Sequence, residues 1–543
     1  MKKLIILNCL LCAIAASATA QIQKEVEVVK PYQPVATDAF KLQNTPQFKP
    51  QSSSSQVYDY SIKMQNEMKS FSLGDTIPPA RTVSSTGPQG LGIVHLGFGN
   101  YLTPYGEAFL NYMPERNTAL GLHLHHISSG GKITLQNNDK VSAGSSLNEA
   151  ELTAAHYFDR ATVDAKIFFD RTAFRYYGYR ATPQGTFLGQ RQAFPRVGLD
   201  VGLNGANKTD MFRYRAGMGY RHFSAKTGQK ENMVRMNLGL AKQYDSFSGL
   251  LDIRVEHAAT DSMVGGERRL SLLQATPAFL MESDKYRMRL GIKVATLFDS
   301  DDTSDDIRAV LFPDINLSLT IAKSVTLFAD LDGSLQPGYY SDVIAENPYI
   351  RPNMAIKPSN TLNIDGGLRA RVGQNFSFMA KAAIIYTDDC HFFALPDNEN
   401  TFTVVYEHRT RLRVDGEATY KVTDIASILL KLAANEAQGT EPLWNIPDYE
   451  ALLAARVTPN RFVITGEFGL TGERQALLFT SAGIRQAFRM GAVPELNVGV
   501  EYRFNDRLSF WGHANNMLSS KYDSWLGYTG KQFNVLFGAS YSF

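Results

Sequence analysis

The sequence predicts an all-β fold, a transmembrane antiparallel β-barrel of about 22 strands, preceded by an extended, mostly irregular N-terminal segment. Three observations predict it. Long runs of strict period-two alternation fill the chain after Leu91. The links between those runs are short and long by turns. The last residue, Phe543, is itself the final apolar position of such a run.

The leader comes first. Lys2 and Lys3 precede an apolar stretch at 4–16, and Ala18-Thr19-Ala20 sets small residues before Gln21. This is the layout of a cleavable secretory signal over residues 1–20. Cys9 and Cys12 fall inside it, so Cys390 is alone in the mature chain and no intramolecular disulfide can form. Residues 21–90 follow, rich in Gln, Ser, Pro and Thr, with Pro31, Pro34, Pro46, Pro50, Pro78 and Pro79 breaking any long helix. They read as a polar periplasmic or lumenal segment.

Residues 91–543 read as the barrel. Leu496, Val498, Val500, Tyr502 and Phe504 alternate with polar or small residues, as do Phe533, Val535, Phe537, Ala539, Tyr541 and Phe543. Alternation puts one residue set on each face of a sheet. A soluble sandwich uses strands of about five or six residues. These runs are about nine to thirteen, the length a tilted strand needs to cross a bilayer. Tight turns are expected at Asp159-Arg160, Asp284-Lys285, Ala322-Lys323, Gly373-Gln374, Thr423-Asp424, Pro459-Asn460 and Asn505-Asp506. Longer polar links are expected at 129–146, 334–361, 436–448, 471–495 and 519–532. Short turns on one side and long loops on the other is the outer-membrane pattern, and the count is about 22 to within about four. A closed barrel pairs every backbone group in lipid. Tyr and Phe at strand ends supply interfacial girdles, which accounts for 25 Tyr and 32 Phe. A terminal strand ending in Tyr541 and Phe543 resembles the signal read by barrel-assembly machinery, which implies the lipid of a Gram-negative outer membrane.

Charge and motifs exclude other classes. Lys+Arg 55 against Asp+Glu 53 gives a formal net charge of +2, without the basic surplus of a nucleic-acid binder. The alternation turns Arg213, Arg215, Arg221, Arg287, Arg289, Lys293, Arg369, Arg371, Arg411, Arg413 and Arg503 toward the lumen, with Asp365, Asp415, Glu417, Glu467 and Glu501. On the lipid side each charge would cost up to roughly 2 to 4 kcal/mol. These cations form either a wall selecting anionic solutes or one half of ion pairs bracing the wall, the preferred reading. His123 and His125 share a face and could ligate a metal, but no third ligand can be placed, so a polar lumen face is preferred and no metal or cofactor is expected. Asp299, Asp301, Asp302, Asp305 and Asp306 read as a solvated acidic outer loop rather than a Ca²⁺ site, since the EF-hand frame is absent. Cys390 has no assigned role. No nucleophile elbow or other catalytic frame occurs, so the chain reads as no enzyme.

One resemblance sharpens this picture. Ala514-Asn515-Asn516-Met517-Leu518, then Lys521-Tyr522, Trp525, Gly527 and Tyr528 before the last run, resembles the final strands of TonB-dependent receptor barrels. Tyr420-Lys421-Val422-Thr423-Asp424 and Ile446-Pro447 resemble those barrels too. The likeness covers 401–543 and is architectural over 91–400. It implies uptake or binding of a bulky solute and a TonB-type protein as partner. Glu25-Val26-Glu27-Val28-Val29 resembles a TonB box, a segment that pairs by strand addition; charged–apolar alternation in a flexible tail is the plainer reading. A receptor of that family carries a plug domain longer than 21–90, so the resemblance is to a receptor lacking a full-length plug. Tyr60, Ile62, Phe71, Leu73 and Ile77 are the apolar set of a reduced plug inside the lumen. Two other readings compete: a passive, porin-like channel, and an interaction barrel docking other envelope proteins.

Overall fold

The computed structural model describes residues 91–543 apart from 116, 206–211, 263–265, 303, 355 and 440. The leader, the TonB-box-like segment Glu25–Val29 and the proposed reduced plug lie outside the described residues. Of the 24 strands in the large sheet, two form a loop hairpin, Arg474–Phe479 and Arg485–Met490, and the other 22 close into a barrel. Consecutive barrel strands pair antiparallel, and the first, Gly92–Gly99, pairs with the last, Asn534–Ser542. Gly92 and Phe543 exchange backbone hydrogen bonds of 3.1 and 3.0 Å at that closure. Every strand edge in the wall is thereby consumed, as lipid demands.

All the predicted tight turns fall at one rim of the wall, the rim that also holds Gly92 and Phe543. The predicted long links all fall at the other. Short turns mark the periplasmic side. The outer rim is mixed, however, because some of its connections are tight as well. The acidic stretch is one of them. Asp299 pairs with Asp306 and Ser300 with Asp305 across a hairpin, so the predicted eight-residue loop is mostly strand. The alternation simply continues through Phe298 and Ile307, both exposed to the outside. Asp299 is not free carboxylate either, since it accepts two N–H groups of Arg268 at 2.8 and 2.6 Å.

Strand length varies more than the alternating runs predicted. Gly92–Gly99 and Leu508–Asn515 have 8 residues each, and Asn534–Ser542 has 9. Phe376–Pro396 and Thr403–Thr423 have 21 each. The wall is thus low at its closure and tallest six to seven strands before the last one.

The outward face is apolar and exposed, as in Leu290, Ile292, Val294 and Phe298 of one strand, while Arg289 and Lys293 of the same strand point inward to carboxylates. Rings pair at the turn rim: Tyr244 with Phe247, Phe247 with Phe279, Phe376 with Tyr420, Phe462 with Tyr502, and Tyr541 with Phe543. This is a girdle at the inner membrane interface. Ile292→Arg, near mid-wall, is expected to cost roughly 2 to 4 kcal/mol. Urea titration read by unboiled gel mobility checks it, with a neutral outcome refuting the outward assignment of this face.

Candidate functional site: a cap of packed loops over the outer mouth

The aromatic residues of the long outer loops behave differently from those of the inner rim. They turn away from lipid and bury themselves among the loops. Tyr176, Tyr349, Tyr528 and Phe402 are among the most completely buried large side chains of the protein. All four belong to one apolar cluster, with Phe174, Tyr177, Tyr340, Phe393, Trp525 and Leu526. This differs from the expectation that the aromatic surplus lies in girdles and that the long links are polar. The density of rings in Tyr176-Tyr177-Gly178-Tyr179 and Tyr339-Tyr340 was the available signal that these links have a core of their own.

The centre of the cap is the small hairpin Asp523–Trp525 and Tyr528–Thr529. Asp523 shapes it by accepting the Gly527 N–H at 2.8 Å and the Thr529 hydroxyl at 2.7 Å. Gly527 has φ of 84°, a left-handed value that glycine adopts without penalty. The stem of the same loop is held by the paired asparagines that carried the family resemblance. Asn516 (φ 46°) donates its amide to Ser520 O and Lys531 O at 2.8 and 3.3 Å, and Asn515 reaches Asn534 at 3.1 Å. That pair of residues therefore does a local structural job, fixing where the loop leaves the wall.

Other loops converge on this hairpin. Tyr349 stacks on Tyr528 with centroids 3.6 Å apart, and Tyr177 meets Tyr528 edge-on at 5.2 Å while donating its hydroxyl to Thr529 O at 2.9 Å. The Tyr528 hydroxyl donates to Asn400 O, and Phe402 packs on Trp525. Buried Arg474 donates to the carbonyls of Ser524 and Asp523 at 3.1 and 2.6 Å. Glu399 accepts the Thr186 N–H and hydroxyl at 3.1 and 2.9 Å. Lys521 reaches Gln136 O and Asn138 at 3.2 and 2.9 Å.

The geometry has one requirement. Tyr177 and Tyr349 lie in loops that follow the fifth and thirteenth strands of the wall. Eight strands correspond to roughly 40 Å of wall, yet both side chains touch Tyr528. The loops must therefore fold inward over the mouth.

The loop at 337–358 lies along the rim and is fastened to lumen-facing residues. Its helix α1, Tyr340–Glu346, is seated on Glu231, which accepts the Tyr340 N–H at 2.9 Å and the Ser341 hydroxyl. Just before it, the Tyr339 hydroxyl donates to Glu256 at 2.8 Å. Glu256 is fully buried and also holds Arg254 at 2.7 Å and Arg235. Farther along, Arg268 donates to Ile356 O and Arg308 to Pro358 O. The loop thus leaves the wall beside one strand and is tied down several strands away.

Burial pushes the Tyr176 phenol up to about 12, and raises those of Tyr340 and Tyr528 for the same reason. A phenol raised in the folded state lends its stability in full below its ordinary value near 10, and that stability is lost as pH rises through the folded value. The cap is therefore expected to hold through pH 9 and loosen above pH ~10. Phenolate absorbance measured against loop proteolysis tests this; loosening well below pH 9 would rule out the phenols as its cause.

The lumenal cations predicted from sequence divide into groups. Arg289 bonds Asp314 and Asp252 at 2.7 and 3.0 Å, Lys293 bonds Asp332 at 2.6 Å, and Arg413 forks onto Asp415 at 2.9 and 3.0 Å. Arg287 and Arg503 sit farther from Glu282 and Glu501, at 3.9 and 3.7 Å. Arg369 lies over the Phe328 ring at 4.4 Å. Among the described residues, Arg213, Arg215, Arg221, Arg371 and Arg411 have no carboxylate within ion-pair distance. His123 and His125 pair separately with Glu107 and Glu149, at 3.1 and 2.8 Å. Among the described residues no three His, Cys, Asp or Glu side chains converge as metal ligands.

No protein-family model and no curated relative matches the sequence. Solved structures do match in fold. The FrpB iron transporter from Neisseria meningitidis (F3-3 variant) superposes with a TM-score of 0.67 at 10% identity, covering 84% of this chain and 82% of that one. The copper transporter OprC gives 0.64 at 13% identity, covering 84% and 81%. The ferric-catecholate import receptor Fiu from E. coli K12 gives 0.62 at 10%, covering 84% and 83%. Together with the strand count and the closure, this establishes the fold as a closed, 22-stranded antiparallel β-barrel of the kind these three proteins share.

Proposed function

We propose that the protein binds or takes up a bulky solute across the outer membrane, with the loop cap as its outer gate. The observation that carries this is the contact of Tyr177 and Tyr349 with one Tyr528 from opposite parts of the rim. A passive channel has no use for a mouth packed shut by an aromatic core. The fold relatives named as metal transporters and import receptors support the same reading.

In this proposal residues 1–20 are removed on export, and within 21–90 the stretch 59–81 packs inside the lumen as a reduced plug. Glu25–Val29 then offers a strand to a TonB-type partner. The lumenal arginines without a carboxylate partner, Arg213, Arg215, Arg221, Arg371 and Arg411, give the passage an anion preference. Tyr541 and Phe543 are the signal for the assembly machinery, and deleting Phe543 is expected to cut the folded, heat-modifiable protein in membranes by about tenfold.

Conductance of the mature protein in a planar bilayer tests the function, beside a version lacking 21–90. The intact protein is expected to be silent. Large, steady conductance from it would refute the gated reading in favour of a porin-like channel.

A further inference from the structure

The loop between the nineteenth and twentieth barrel strands carries the hairpin Arg474–Phe479 and Arg485–Met490. Its first strand adds in parallel to the top of the tall strand Phe376–Pro396, through Ala394↔Leu477 to Pro396↔Phe479. Its second strand pairs only with the first, so among the described residues its other side is a free edge.

The phase of that edge can be worked out. Thr480 N–H donates to Ile484 O at 2.9 Å, which makes that pair a hydrogen-bonded one. Bonded and non-bonded pairs alternate along an antiparallel ladder. The pairs Leu478↔Gln486, Ala476↔Phe488 and Arg474↔Met490 therefore face inward, and Arg485, Ala487 and Arg489 turn their N–H and C=O groups to the free side. The first strand agrees: the carbonyls of Gln475 and Phe479 point the opposite way, accepting from Asn445 and Asp397 at 2.8 and 2.7 Å.

Charge selects the occupant. The Arg489 and Arg485 side chains each hold one carboxylate, Glu473 and Glu407, yet remain 73% and 47% exposed. On the other face, the Arg180 guanidinium lies 5.1 Å over the Phe488 ring. A strand added here would run its side chains among three guanidinium groups. A second copy of this chain is disfavoured, because antiparallel self-pairing centred on Ala487 sets Arg485 against Arg489 at both ends, and like charges directly opposed are destabilising.

We propose that Arg485–Met490 is a docking edge on the outer surface for an extended, acidic segment of another protein, captured by strand addition. The proposal stands independently of any solute passing through the barrel.

The test uses the mature protein in detergent micelles and a fluorescein-labelled ten-residue peptide of alternating Glu and Val, with the Lys–Val counterpart as control. Anisotropy is expected to show saturable binding of the Glu–Val peptide alone. Ala487→Pro removes the central outward N–H without touching the inner ladder, and is expected to weaken binding by at least about tenfold. Arg485→Gln with Arg489→Gln is expected to weaken it comparably, and serves as the test if unboiled gel mobility shows the proline variant misfolded. Equal binding of both peptides, no binding of either, or full binding by the variants overturns the proposal. Self-association abolished by Ala487→Pro also overturns it, assigning the edge to a second copy instead.

Discussion

Tyr528→Ala is expected to unlock the outer mouth while leaving the barrel wall intact. The ring is almost wholly buried, stacks on Tyr349, meets Tyr177 and anchors Asn400 through its hydroxyl. Truncating a buried aromatic side chain costs roughly 3 to 5 kcal/mol. Because the lost contacts join loops rather than strands, that cost falls on cap closure. Each 1.4 kcal/mol is tenfold in an equilibrium, so the open population rises on the order of a hundredfold or more. Trypsin cleavage at Arg180 and Lys521 should accelerate by that factor, with no change in the urea midpoint of the barrel. Unchanged cleavage would mean that the loops are held from elsewhere and that the aromatic core is incidental.

Glu256→Ala is expected to produce the second large effect, and it strikes the wall and the cap together. One buried carboxylate holds Arg235, Arg254 and the Tyr339 hydroxyl. Removing it leaves two guanidinium groups facing each other without their shared anion, a loss of roughly 3 to 5 kcal/mol. Glu256→Gln should be milder, since an amide oxygen still accepts from Tyr339. A double-mutant cycle with Tyr339→Phe separates the contributions: partners in one network are expected to be non-additive by about 0.5 to 3 kcal/mol. Strict additivity would show that loop 337–358 does not depend on this carboxylate.

The wall was legible in the sequence because a single physical rule writes it. Lipid on one side and charge on the other force period two, and Leu290, Ile292 and Val294 against Arg289 and Lys293 could be sorted before any coordinates. Turn positions followed from where that alternation paused. The same rule misread Asp299–Asp306, where acidic residues interrupt the composition without interrupting the pairing. The cap was not legible. Its contacts join Tyr177, Tyr349, Asn400 and Tyr528, which no local periodicity links. Nor could the ion partners of Arg289 or Arg413 be read beforehand, because register across strands decides them.

The uneven wall has a consequence at the scale of the cell surface. At a tilt near 40° and about 3.3 Å per residue, an 8-residue strand rises roughly 20 Å and a 21-residue strand roughly 50 Å. The apolar band of an outer membrane is about 25 Å tall. On the closure flank the rim therefore sits level with the lipid headgroups, and at the 21-residue pair, six and seven strands before the last, it climbs some way clear of them. The hairpin that ends in Arg485–Met490 is attached at the top of that rise. A large particle arriving from outside meets this crest before it meets the low rim at the closure, and the packed loops stand between it and the lumen.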